Sequence, residues 1–243
     1  MRSAKSVGRI VGILLLAQIV VAFLAQFVLL ARVSAPPGFL ANAAGSAFQV
    51  RVSVLLWFVA SALTLAVAIA TLPLFRQYSE RMALLYFALS VLGLSTSAFD
   101  NVGVLNMLSL SQEYAKAGAA NELFQAVGAM ASSARYAAHY INVLVGGITA
   151  FVLVSILFRF ALVPRALAAF GLATFPVQIA AVAMPLLGYR YQAVMLVPAA
   201  LSLFALVLWL IAKGFRLEGG HGSGFPVDPP QFRGQTPAPT RQP

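Results

Sequence analysis

The sequence predicts an all-α fold, a polytopic membrane bundle of six transmembrane helices with a disordered C-terminal tail. Three observations predict it. Of the 243 residues, 61% are hydrophobic and only 9% charged, whereas an ordinary soluble domain is roughly half apolar and about a quarter charged. Six apolar runs approach or exceed the roughly 20 residues that a helix needs to cross a hydrocarbon core about 30 Å thick. The basic residues fall mainly at the ends of these runs.

The first run, Ile10 to Leu30, follows the basic segment Met1 to Arg9. A secretory signal begins in the same way. Here the apolar stretch is longer than a signal core, and Val33-Ser34-Ala35 leads straight into Pro36 and Pro37, so an uncleaved first span is expected. The second run is Val52 to Phe75, and the third starts at Met82 and grows more polar near Leu110. The fourth occupies about Ala138 to Phe160, the fifth Ala166 to Leu187 and the sixth Ala193 to Ala212. None alternates with period two, which excludes a barrel.

Between the third and fourth runs, "SQEYAKAGAANELFQAVGAMASSAR" (111–135) is too polar to span. Leu123, Phe124, Val127 and Met130 nevertheless recur at helical spacing, which predicts an interfacial helix that lids the bundle. Pro73, Pro176, Pro185 and Pro198 predict kinks, and Gly146-Gly147 a close helix approach. No internal repeat pairs these breaks as in a transporter built from two halves. From Arg216 the composition changes to "RLEGGHGSGFPVDPPQFRGQTPAPTRQP", too poor in large apolar residues to fold. The expected division is therefore a six-helix transmembrane domain, 1–215, and a disordered cytoplasmic tail, 216–243, which carries His221.

Orientation follows from the rule that positive flanks stay in the cytoplasm. An even number of spans puts both ends together, on a side holding Arg2, Lys5, Arg9, Arg76, Arg81, Arg159, Arg165, Lys213, Arg216, Arg233 and Arg241. Only Arg32, Arg51, Lys116, Arg135 and Arg190 fall on the other. Both termini are expected in the cytoplasm, with the protein in the inner membrane. The formal net charge of +10 is spread over helix ends, not gathered in a patch, so nucleic acid is not an expected partner. The bilayer is the expected one, and the oligomeric state is left open. The absence of cysteine removes disulfides, thiolate catalysis and cysteine-ligated metals.

The stretch "GLSTSAFDNVGVLN" places Asp100 inside the third run. Counting about 1.5 Å per residue, Asp100 lies roughly 27 Å above Met82, and His139 about 31 Å above Phe160 on the oppositely directed fourth helix. The two are expected to meet near the outer face. Gln26, Arg51, Asn101 and Asn142 fall in the same layer, with Asn106 and Arg135 nearby, and these residues define a candidate polar pocket. A purely structural alternative satisfies Asp100 through Arg51, Arg135 or His139, because a charge in a span is costly unless paired.

Specific chemistries fit this inventory poorly. Lys5, Lys116 and Lys213 lie outside or at the ends of spans, which excludes retinal attachment. Only His139 could ligate a membrane haem, and Asp100 with His139 makes at most half of a zinc site, so no metal and no cofactor is expected. Ser95 sits about 10 Å from His139 along the bundle axis, too far for a serine–histidine pair.

Four stretches resemble an uncharacterised bacterial family of six-helix membrane proteins, domain of unknown function four-three-eight-six. They are "GRIVGILLL", "AFQVRVSVLL", "FALVPRALAAFGLATF" and "ALVLWLIAKGF". The family resembles this chain also in a histidine near the start of the fourth span, here His139. The acids that members often carry in the second span and before the final Trp-Leu pair are missing from "LLWFVASALTL" and "PAALSLFALVLWL". The resemblance implies the six-helix fold and no activity.

The functional reading is a binding, sensing or accessory module whose outer pocket takes a small molecule or lipid headgroup. Its candidate residues are Gln26, Arg51, Asp100, Asn101, His139 and Asn142, with Arg51 as the anion contact. The alternatives are a proton-coupled secondary transporter using Asp100 and His139, and an intramembrane enzyme with His139 as base. The latter lacks a nucleophile, and no catalytic residue is assigned.

Overall fold

A computed structural model describes residues 4–117 and 122–216. Among these residues there are helices and no strands. Six helices are long and apolar enough to span a membrane: α1 (Ala4–Val33), α2 (Ala47–Tyr78), α3 (Glu80–Ala117), α4 (Glu122–Arg159), α5 (Arg165–Leu186) and α6 (Ala193–Lys213). Each packs on its neighbours in sequence, and α1 also packs on α6, closing a ring in chain order. Large apolar side chains such as Phe23, Phe27, Leu55, Phe99, Leu201 and Leu208 are exposed on the helices. In lipid this is the favourable arrangement, since only the backbone must be satisfied internally. The protein is thus an integral, multi-pass membrane protein.

The main core lies at the end that holds the termini. Val11 and Leu15, Val67 and Phe75, Tyr86, Ile156 and Leu157, Phe175, and Val207 and Leu210 are all buried there, drawn from all six helices. The ring closes at this end through glycine. A Cβ on Gly8 would collide with the backbone of Gly214 and Phe215, and one on Gly12 would sit 2.8 Å from Ile211 N. This is the small-xxx-small approach that lets membrane helices meet backbone to backbone. Gly214 ends α6 with φ of 71° against the Lys5 carbonyl, a place where only glycine fits. Beyond it, Arg216 N donates to Leu162 O at 2.8 Å, and the Arg216 guanidinium lies 4.8 Å from the Trp209 ring centroid.

A second, smaller core sits at the opposite end, where Val33, Ala43, Val50, Val104 and Leu108 pack together. The turn of helix Phe39–Asn42 is tied down there. Ser111 Oγ donates to Leu40 O at 2.7 Å and accepts from Ala44 N at 2.8 Å.

One expectation changes. The polar segment 111–135 is not a separate interfacial helix, because α3 runs on to Ala117 and α4 starts at Glu122. At 38 residues each, these helices are about 57 Å long, nearly twice the hydrocarbon thickness. An apolar window marks where the bilayer ends, whereas alanine, glutamine, glutamate and methionine carry the helix on past it. The helices run on through their internal prolines. Pro73 lies within α2, and Pro176 and Pro185 within α5, whereas Pro198 starts the regular part of α6, where its missing N–H is not needed. The tail from 217 onward, with His221, lies outside the described residues.

Candidate functional site

Helices α3 and α4 are antiparallel neighbours. On α3, Thr96, Asp100 and Gly103 follow one another four and three residues apart; on α4, Arg135, His139 and Asn142 repeat the same spacing. Each trio therefore lies on one face of its helix. The two faces meet rung by rung. Thr96 Oγ1 lies 3.0 Å from Asn142 Oδ1 and 3.1 Å from its own helix's Gly93 carbonyl. Asp100 Oδ2 stands 2.7 Å from His139 Nδ1. Arg135 Nε is 3.4 Å from Asp100 Oδ1. Gly103 makes room for that arginine, since a Cβ there would come within 3.3 Å of Arg135 Cγ. The seam continues past the core thickness to Tyr114 and Phe124, whose rings are 6.2 Å apart.

The expected meeting of Asp100 and His139 is therefore present, and Arg135 joins it. The contact engages Nδ1 of the ring and leaves Nε2 as its other polar atom. The arginine contact is electrostatic only. It is within ion-pair distance, yet Asp100 Oδ1 and Arg135 Nε are both buried without a hydrogen-bond partner. Side-chain exposure is 11% for Asp100, 16% for Arg135 and 24% for His139, so the cluster opens towards His139.

Aromatic rings extend the site from His139. Trp57 of α2 stands edge-on to it, 6.4 Å between centroids and 80° between planes. Tyr140 is 6.2 Å away on the other side, and Tyr191, in the loop joining α5 to α6, is 5.7 Å from Tyr140. Burial, and secondarily Tyr140, raises the Tyr191 phenol above its ordinary pKa, so it remains a neutral hydroxyl.

The first helix contributes through a local irregularity. Leu24–Leu30 is a π-helical segment in which Ala31 N–H reaches back five residues to Gln26 O. Such segments are rare and frequent at functional sites. Ser53 Oγ of α2 donates to Ala25 O at 3.3 Å, one helical turn from Trp57. Gln26 is the next residue of this segment. Its Oε1 is buried without a partner, as is Asn101 Nδ2, next to Asp100.

Of the residues singled out in the sequence, Asp100, His139 and Asn142 lie on the α3–α4 seam, Asn101 is buried beside it, and Gln26 lies in the π-helical segment of α1. Arg51 is exposed, and the ion pairs of Asp100 run to Arg135 and His139 instead. Asn106 is also exposed. Sequence reasoning undervalued Arg135, Thr96 and Gly103, although the matched four-and-three spacing on both helices was a usable signal. Trp57, Tyr140 and Tyr191 carried none that distinguishes them from interface aromatics. Among the described residues, no three His, Asp or Glu side chains are grouped so as to hold a metal.

The fold and this buried polar seam define a six-helix, multi-pass integral membrane protein. Residues 10–214 match the family described as Domain of unknown function (DUF4386), and the chain belongs to that family. No match is found among curated proteins or among solved structures.

Proposed function

We propose that this protein is a membrane binding or sensing module whose polar layer, around Asp100 and His139, takes a small molecule or lipid headgroup from the outer side. The termini then lie in the cytoplasm and the protein in the inner membrane, the orientation supported by the basic residues at the terminal end. The observation that carries the reading is a group of unpartnered buried atoms at the α3–α4 seam, Asp100 Oδ1, Asn101 Nδ2 and Arg135 Nε, with Gln26 Oε1 at a similar depth on α1; Gln18 Oε1 and Trp209 Nε1 are unpartnered elsewhere in the bundle. A buried polar group without a partner costs about 1 to 3 kcal/mol, and structural networks usually satisfy their members. A bound polar molecule supplies the missing partners.

The test uses purified protein in nanodiscs. A small-molecule and lipid extract of the expressing cells should raise the melting midpoint of the wild type and leave Asn101→Leu unchanged. An equal response of the two proteins contradicts the reading.

The 2.7 Å contact between His139 and Asp100 favours a second reading, a proton-coupled transporter in which the pair carries the proton. It predicts pH-gradient-driven flux in proteoliposomes that Asp100→Asn abolishes. Flux that survives the substitution removes that role.

A further inference from the structure

Resting on the binding site just described, we infer the chemical class of its ligand: a neutral, hydroxyl-bearing group, a sugar or polyol, free or as the headgroup of a lipid. Charge comes first. The Asp100 carboxylate is already faced by the Arg135 guanidinium at ion-pair distance, so these two charges offset each other and a charged ligand brings one that this pair does not balance, in surroundings where an unpaired charge is expensive.

Hydrogen-bonding capacity narrows the class. Of the six buried side-chain atoms without a partner among the described residues, Gln18 Oε1 and Trp209 Nε1 lie elsewhere in the bundle, and the four at this depth are two acceptors, Gln26 Oε1 and Asp100 Oδ1, and two donors, Asn101 Nδ2 and Arg135 Nε. Turning over either amide exchanges a donor for an acceptor, yet the carboxylate and the guanidinium keep the set mixed. Phosphate diesters and carboxylates only accept, primary ammonium groups only donate, and quaternary ammonium does neither. A hydroxyl does both. Asp100 Oδ1 and Arg135 Nε stand 3.4 Å apart without a hydrogen bond between them. A single hydroxyl beside that gap accepts from Nε and donates to Oδ1.

The aromatic path supplies the approach. Tyr191 is 43% exposed in its loop, and the rings lead inward through Tyr140 to His139 and Trp57. Flat apolar faces with polar edges suit a molecule that is hydroxylated at its rim and C–H-rich on its faces.

Trp57 is one of two tryptophans, so Trp209→Phe leaves it as a reporter touching the site. That variant is placed in phosphatidylcholine nanodiscs and titrated separately with glucosyl diacylglycerol, glucose, glycerol, phosphatidic acid and tetramethylammonium. The expected result is a saturable change in Trp57 emission with the hydroxylated probes, weakened at least about tenfold by Asn101→Leu. A response to the glucosyl lipid alone assigns a headgroup, and a response to glucose or glycerol assigns a free molecule. A response confined to phosphatidic acid or tetramethylammonium overturns the class while leaving the site in place. With no response to any probe the class falls. The reactivity of Ser97→Cys towards an aqueous thiol reagent then decides whether the site falls with it: a reactive thiol keeps the site, and an unreactive one removes both.

Discussion

At the terminal end of the bundle, α1 and α6 meet backbone to backbone over Gly8, Gly12 and Gly214, and the space inside is filled by side chains such as Phe75, Ile156, Leu157 and Leu210. Roughly 27 Å along the helix axis, α3 and α4 meet instead through Thr96, Asp100, Arg135, His139 and Asn142, and several buried polar atoms there have no partner. Both regions hold neighbouring helices together, by opposite means. The first uses contact area between small residues, which lipid cannot displace, and its unpartnered polar atom is the Trp209 indole Nε1 at the edge of the core. The second uses charges and hydrogen-bonding groups that are incompletely matched among themselves, the kind of local inconsistency that proteins retain at sites of function. The comparison therefore divides the molecule into an end that closes the ring and an end that is organised to receive something.

Substitutions that break the comparison should differ in size and sign. The largest effect is expected for Gly8→Leu, because its side chain would have to occupy the backbone of Gly214 and Phe215. Overpacking of this kind lies at or above the top of the range of about 1 to 3 kcal/mol, and size-exclusion chromatography should show loss of the monodisperse species. Next comes Arg135→Leu, which removes one partner of Asp100 but leaves His139 in place. A loss near the lower end of about 3 to 5 kcal/mol is expected, read as a fall in melting midpoint. Adding Asp100→Asn should recover part of it, and a purely additive double variant would show the two side chains to be uncoupled.

The third effect has the opposite sign. Gln26→Leu and Asn101→Leu remove orphaned polar atoms and should each stabilise the ligand-free protein by about 1 kcal/mol. Melting midpoints at or below wild type would mean that these atoms are satisfied after all. The smallest effect is expected for Arg76→Ala. Its 2.7 Å pair with Glu80 involves side chains 50% and 64% exposed, so the change should stay within about 0.5 kcal/mol.

The two regions also differ in how far they could be read from sequence. The six spans were legible because the bilayer imposes an apolar window of fixed length, and every span meets it. The depth of Asp100 and His139 was legible for the same reason, since helical rise converts residue number into height. The extent of α3 and α4 was not, because hydropathy locates the membrane boundary and is silent about a helix that continues beyond it. Gly8 and Gly12 form a small-xxx-small pair that was open to view, yet their partner in the segment 214–215 comes from the far end of the chain and emerges only when the ring closes. Arg135 was named as a possible partner of Asp100 but left out of the candidate ligand residues, because the helix carrying it extends outside the apolar window. Arg51 was assigned to the pocket on depth alone, and depth does not say which face of a helix a residue occupies.

The central claim, that the Asp100 layer is reachable and open to a ligand from the outer side, is tested most directly by thiol accessibility in this cysteine-free chain. Ser97 is buried one turn from Asp100 and on the same face of α3 as Asn101, and cysteine there is nearly isosteric. Gln192, exposed in the loop between α5 and α6, and Gln77, exposed at the terminal end, serve as references. With a membrane-impermeant reagent on intact cells, Ser97→Cys and Gln192→Cys should both react, and Gln77→Cys should react only after permeabilisation. Normal labelling of Gln192→Cys with Ser97→Cys reacting only after denaturation would contradict the account, and would make the layer a sealed network that holds α3 to α4.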